Sequence, residues 1–344
     1  MNPSVLVARL DNNGDVLLAG PAVRAVAAGA SEVTLLCGAR GIAAAHLLPG
    51  VDRIVQFTAP WIDPDPAPVD RVEADRLVAR ISAIEPDIAL ILTSFHQSPL
   101  PLALLLRMAG VPCIAAISED YPGSLLDIRH RVGDDLHEVE RGLSLALRAG
   151  FELPDGDDGS LRIRPHASEV RPPFVGYVVV HPGASVTARA WSPARNRELV
   201  RTLAADGWPV VVTAGPDETE LAVEVAGPQH PLVANFAGQV TLAGLAALLE
   251  RARALVVGNT GPAHLAAAVG TPVVSLFAPT VPASRWRPWQ VPNLLLGDQR
   301  IACAGCRARS CPVAGHPCLS SVDVADVIGA LHRLAVPRPL EVVV

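Results

Sequence analysis

Four of the chain's six cysteines, Cys303, Cys306, Cys311 and Cys318, follow a C-x2-C-x4-C-x6-C spacing among glycines and prolines. Four thiolates held this closely can close on one metal ion. Such a set leaves no coordination position open, so the expected role is a structural metal, zinc or iron, with His316 as an alternative ligand. Two disulfides are the competing reading, and it needs an oxidising compartment. Cys37 and Cys113 lie in apolar runs and read as inert core residues.

A second candidate is the stretch LVVGNTGPAHLAAAVGTPVVSLFAPT over residues 255–280. It predicts a buried strand, a tight turn at Gly258-Asn259-Thr260-Gly261, a helix with Pro262 in its first turn, and a second strand. The amides at that helix start, the Thr260 hydroxyl and His264 would make a seat for a diphosphate. The plainer alternative is that any βαβ unit needs a small-residue turn and that the histidine only caps the helix.

Asp15 is the third candidate. It follows a strand over 5–9 and the turn LDNNG, at the start of a single helix expected to carry Val16, Leu17, Val23 and Val26 on its apolar side. There it can cap free amides, or face a cleft as a general base.

Further polar residues fall at the predicted carboxyl ends of other strands, where open α/β sheets bind ligands. Ser94, His96 and Gln97 in SFHQSP are expected to contact a hydroxylated substrate, or to be loop residues without that role. In the second half, Ser185 in HPGAS and Arg189 would hold phosphates. Glu218 in AGPDE would bind sugar or ribose hydroxyls, with Asn259, Thr260 and Gly261 completing the donor site. Trp191 is expected to fix its loop by packing. A guanidinium, an imidazole and helix-end amides could stabilise a leaving diphosphate without a catalytic metal.

These residues need a scaffold of parallel strands. Apolar runs alternate with helical patterns through the whole chain, which implies α/β architecture with helices on both faces of parallel sheets. The alternation restarts after a Pro-rich linker over 165–173. The expected organisation is therefore two Rossmann-like domains, an N-terminal one over 1–165 and a C-terminal one over 174–344, facing across a cleft that holds a ligand. Residues 155–160, DGDDGS, are expected to be a flexible acidic loop, and 118–131 an irregular turn region.

Composition removes several function classes. With 344 residues, half of them apolar, two ordinary cores can form. A formal net charge of −6 without basic runs gives no footprint for nucleic acid. The longest uncharged stretch, 254–284, is broken by Gly and Pro and does not read as a membrane span. The expectation is a cytoplasmic protein with no transmembrane segment, which leaves room for peripheral membrane contact. Lysine is absent, so every fixed cation is an arginine. The chain has no GxGxxG after the first strand, no P-loop and no GxSxG.

Taken together, RLDNNGDVLLAGPAVRA, HPGAS, RAWSP, AGPDE, FAG and GNTGPAHLAAAVGTPVVSLF, in that order, resemble the ADP-heptose:lipopolysaccharide heptosyltransferase family, glycosyltransferase family 9. The resemblance implies the GT-B fold and an inverting transfer from an ADP-sugar, ADP-heptose by analogy, to a carbohydrate or glycosylated natural product, with the acceptor bound by the N-terminal domain and the nucleotide-sugar donor by the C-terminal one. It casts Asp15 as the base that deprotonates the acceptor, and Arg189 and His264 as groups that hold the diphosphate. Arg189 stands where the family usually has Lys, and Asn259 where heptosyltransferases commonly have Asp. Cysteine clusters of this kind resemble the iron-binding motif of a related autotransporter heptosyltransferase group. The competing functions are a nucleotide-sugar 2-epimerase and a non-catalytic sugar-nucleotide-binding protein.

Overall fold

Runs of Val, Ile, Leu and Ala with no polar alternation form strands buried on both faces, the pattern that demands parallel pairing under helices. The computed structural model describes residues 2–133, 135–165 and 170–334. Its contacts divide the chain into two units, Met1–Arg164 and Pro165–Val344. Part of the expected linker, 166–169, and the end of the expected C-terminal domain, 335–344, lie outside the described residues.

The first unit runs β1 (Ser4–Arg9), α1 (Asn13–Leu18), α2 (Gly20–Gly29), β2 (Glu32–Cys37), α3 (Ile42–Ala45) and β3 (Arg53–Gln56). It continues through α4 (Arg71–Ile84), β4 (Ile88–Ile91), α5 (Leu100–Met108), β5 (Cys113–Ile117), β6 (Ile128–His130) and α6 (Glu138–Arg148). Its six strands are parallel in the order β3-β2-β1-β4-β5-β6. On one side of the sheet Leu6, Ala8, Leu36, Ile91 and Ile114 pack against Leu77 and Ile81 of α4 and Leu102 and Leu106 of α5. Among the described residues no helix is long and apolar enough to cross a membrane.

The single helix expected after Asp15 is two. Pro21 has no amide to continue the ladder, so α1 stops at Leu18 and α2 restarts with proline in its first turn. Strand β6 was expected to be irregular. Only three residues long and half-buried, it carries Arg129 and His130 and so lacks an apolar run to mark it.

The acidic loop is also different from expectation, because it is pinned. Arg24 donates from Nε to Asp157 at 2.6 Å and from Nη2 to Asp157 at 2.8 Å and to the Ser160 carbonyl at 2.8 Å. Both side chains are below 10% exposed. Arg164 adds bonds to the carbonyls of Leu48, at 2.7 Å, and Val51. Local composition suggested solvent, but a partner 133 residues away made the aspartate structural.

The second unit runs β7 (Val178–His181), α7 (Pro193–Ala205), β8 (Val210–Val212), α8 (Thr219–Ala226), β9 (Val233–Asn235), α9 (Leu242–Glu250) and β10 (Ala254–Gly258). After these come α10 (Gly261–Ala268), β11 (Val273–Leu276), α11 (Ala283–Trp286), β12 (Asn293–Leu296), α12 (Pro317–Ser320) and α13 (Val324–Arg333). The sheet order, β12-β11-β10-β7-β8-β9, repeats that of the first unit: in each, the first and fourth strands are neighbours at the centre. That is where the strand order reverses and where such sheets open a crevice for ligands. Strand β12 and helix α13 were not expected. Their residues Leu294, Leu296, Val327 and Leu331 join the core of Val178, Val180, Val256 and Leu276.

Two stability predictions follow from buried titrating groups. Its hydrogen bonds from Arg24, against the opposing effect of burial, hold the Asp157 carboxyl down at about 2 rather than 3.8. Its contribution is present above pH 3.8 and is lost as pH falls towards 2. Arg24→Leu leaves that carboxylate only the Gly159 amide at 3.0 Å and a 3.8 Å ion pair with half-exposed Arg162, and should cost about 3 kcal/mol in urea denaturation at pH 7.

His181 shows the opposite chemistry. Burial lowers it from 6.5 to about 4, and its Nδ1 lies 3.0 Å from the Thr213 hydroxyl. The unfolded chain binds a proton that the folded chain refuses, so stability is full above pH 6.5 and declines until about pH 4. The loss should reach about 3 kcal/mol. Melting temperatures of wild type and His181→Asn between pH 7 and 4 should show the slope in the first and a flatter profile in the second.

Candidate functional site

In the first unit, the loops after β1 and β4 meet around one guanidinium. Arg9 ends β1 and is 4% exposed. Its Nε lies 2.8 Å from Asp11 Oδ2, its Nη1 is 3.3 Å from Glu138 Oε2 and its Nη2 is 3.1 Å from Asp15 Oδ1. Nη2 also donates to the Ser94 hydroxyl at 2.8 Å. Arg141, one helical turn beyond Glu138, comes within 3.2 Å of that carboxylate. Two guanidiniums therefore face three carboxylates, and one negative charge is in surplus.

The titration directions follow from this packing. Burial by itself would lower Arg9, but Asp11, Asp15 and Glu138 outweigh it and push its pKa up. Burial pushes Asp11 up, with Arg9 pulling down and Asp15 adding repulsion. Burial likewise raises Glu138 against the pull of Arg9 and Arg141. Among the three carboxylate side chains, Asp15 is 19% exposed, while Asp11 and Glu138 are 7% and 1%. Asp15 is thus the one nearest to solvent.

Asp15 lies in the first turn of α1, where Asn12 is the cap residue and makes no side-chain capping bond. The aspartate is turned to Arg9. Ser94 and Gln97 lie in the same hydrogen-bond network. Ser94 is 3% exposed and bridges Arg9 and Asp11, while Gln97 donates to Asp11 and accepts from the Ser94 amide. Both are committed to the network. His96 is exposed beside Phe95, with ring centroids 5.3 Å apart.

Arg9, Asp11 and Glu138 were missed as functional residues. A charge closing the apolar run VLVAR was the available signal for Arg9. For Glu138 it was a helix start carrying Glu138 and Arg141 at i,i+3.

In the second unit the loops after β7 and β10 make a cradle of donors. Helix α10 presents its first turn, with Pro262 inside it, His264 6% exposed and Thr260 at the cap position. Thr260 Oγ1 and Asn259 Oδ1 are buried without a hydrogen-bond partner, although the Asn259 amide nitrogen donates to Ala278 O at 3.3 Å. Orphaned buried polar atoms cost about 1–3 kcal/mol each, and a bound polar ligand would satisfy them.

Arg189 is drawn to the same place. Its carbonyl comes so near Gly258 that a Cβ there would stand 2.8 Å from it, and its Nε donates to Thr280 Oγ1 at 3.2 Å. Trp191 is 3% exposed and fixes the loop by donating to Val322 O at 3.2 Å. The loops after β7 and β8 also converge, since a side chain on Gly183 would overlap the Glu218 carboxylate. Glu218 accepts from the Gly215 amide at 3.2 Å. Ser185 is exposed on the loop leading to the 187–189 turn.

The cysteines Cys303, Cys306, Cys311 and Cys318 are all free thiols and line one small cavity of about 30 Å³, with His316, Ala188 and Thr280. Burial, then the neighbouring thiols of Cys311, Cys303 and Cys306, push the Cys318 thiol up. Four soft donors around one cavity fit a thiophilic ion in kind. They do not yet form a coordination sphere, since among the described residues no group of three or more His, Cys, Asp or Glu converges as metal ligands would.

Residues 76–316 match the family described as Glycosyltransferase family 9 (heptosyltransferase). The chain is 37% identical over 163 residues to lipopolysaccharide heptosyltransferase 3 of Escherichia coli, covering 46% of each chain, so it spans about half the length of that curated relative. Among solved structures it resembles a family 9 glycosyltransferase of Veillonella parvula, with a TM-score of 0.76 at 17% identity, over 96% of this chain and 97% of that one. It also resembles an E. coli heptosyltransferase solved with ADP-2-deoxy-2-fluoro heptose, with a TM-score of 0.71 at 20% identity, over 96% and 99% of the two chains. These likenesses show the fold, the GT-B pair of doubly wound units. The chain belongs to glycosyltransferase family 9, the heptosyltransferase family.

Proposed function

We propose that this protein is an inverting glycosyltransferase that moves a sugar, heptose by the family's example, from an ADP-linked donor to a hydroxyl of a carbohydrate or glycosylated natural product. The observation that carries this reading is the exposure of Asp15 within a buried cluster holding one surplus negative charge. Asp15 takes the acceptor hydroxyl's proton as that oxygen attacks the anomeric carbon. The bond from that carbon to the diphosphate oxygen breaks in the same step, and the configuration inverts.

The leaving diphosphate gathers negative charge, which Arg189, His264 and the amides opening α10 stabilise without a metal. The open Thr260 hydroxyl and Asn259 oxygen position the donor, with Gly261 leaving room for phosphate against the backbone. Glu218 and Ser185 contact ribose or sugar hydroxyls and phosphate respectively, and His96 contacts the acceptor. Cys303, Cys306, Cys311 and Cys318, which line one cavity, would hold zinc or iron in a structural role.

Asp15→Asn should lower kcat by about a hundredfold or more, with little change in donor affinity, when transfer from ADP-heptose is followed. Turnover equal to wild type would remove Asp15 as the base. Incubating donor alone separates this reading from a 2-epimerase, which would generate an isomer. Elemental analysis of protein purified without added metal should find about one zinc or iron per chain, and a quadruple Cys→Ser variant should find none.

A further inference from the structure

The cysteine-rich loop borders the donor cradle on two sides. From one side it holds the turn that ends in Arg189. The Ala188 amide donates to Arg309 O at 3.0 Å, the Thr187 hydroxyl lies 3.0 Å from Arg309 O and 3.1 Å from Ser310 Oγ, and His316 Nε2 reaches Ala188 O at 3.0 Å. From the other side it holds the group that receives Arg189. The Gly305 amide donates to Pro279 O at 2.7 Å and the Arg307 amide to Thr280 O at 2.9 Å, while Thr280 Oγ1 accepts from Arg189 Nε. Both ends of the arginine's support thus come from one segment lying more than a hundred residues later in the chain.

We propose that the cysteine-rich loop is a positioning element for the donor site, with His316 as its principal positioning residue. It fixes Arg189 through Ala188 on one side and through Thr280 on the other, so that the guanidinium is already directed when a nucleoside diphosphate arrives. A planar guanidinium binds an oxyanion well only when its fork is correctly oriented, and a fixed orientation lowers the entropy lost on binding. His316 suits the place in two ways. Its backbone is left-handed, at φ 48°, a region histidine and asparagine enter more readily than most residues. Its Nε2 must carry the proton, because the carbonyl of Ala188 can only accept.

This rests on the reading of Arg189 as a diphosphate-holding group, and ADP affinity tests the two separately. Calorimetric titration of the full chain with ADP should give an affinity about five- to tenfold weaker in His316→Asn, the order of one lost hydrogen bond. Asparagine tolerates the left-handed backbone but is too short for Ala188 O. His316→Gln, whose amide nitrogen reaches about as far as Nε2, should recover most of the loss. Thr187→Val, at an exposed position that poses little risk to folding, should weaken ADP binding in the same direction. In transfer assays the deficit should appear in donor KM, with kcat close to wild type. ADP affinity equal to wild type in both His316→Asn and Thr187→Val would overturn the proposal and leave the donor-site reading standing. A wild-type chain that does not bind ADP would overturn both.

Discussion

Everything in the first unit that bears on chemistry is arranged around the burial of a single guanidinium. Arg9 closes a strand after the aliphatic run Val5, Leu6, Val7 and Ala8, so its charge enters the protein with almost no water. A buried cation must be paired and hydrogen-bonded or it costs several kcal/mol. The fold answers with carboxylates from the loop after β1 and from the start of α6, and with a hydroxyl from the loop after β4. The answer exceeds the need. Three carboxylates surround two arginines, and Asp15 is the one of the three nearest to solvent.

The second unit meets the opposite demand with the same topology. Its sheet reverses strand order between β7 and β10, and the loops there carry backbone amides, a guanidinium and a histidine. The two orphaned polar atoms, Asn259 Oδ1 and Thr260 Oγ1, mark where the protein's own hydrogen bonds end. Gly183 and Gly258 are small because neighbouring chain passes through the volume a side chain would take. The cysteine-rich loop adds rigidity to this cradle through backbone groups and the His316 imidazole, so its thiols and Arg189 belong to one mechanical unit.

Much of this was legible in the amino-acid sequence. Apolar runs located the main strands, and the Gly-Asn-Thr-Gly turn located the start of α10. These signals are local. A buried parallel strand needs consecutive apolar residues, a helix start needs a suitable turn, and both leave their mark within a few positions. The less visible elements were those whose stability comes from neighbours. Strand β6 is held by β5 rather than by its own pattern, and α13 by the sheet it covers.

Residue types, the main buried strands and the two-unit α/β plan were therefore written in the chain itself, together with Asp15, Arg189 and the α10 turn as polar groups at strand ends. Tertiary structure alone decided how those groups are partnered. It gave Asp15 an arginine in place of a helix cap, turned Ser94 and Gln97 inward to hold Asp11, fastened Asp157 to Arg24, and set the cysteine loop against Arg189. The reason is range. Arg9 and Glu138 are 129 positions apart, and the interaction between them depends on a distance and a degree of dryness that arise only when distant segments pack together.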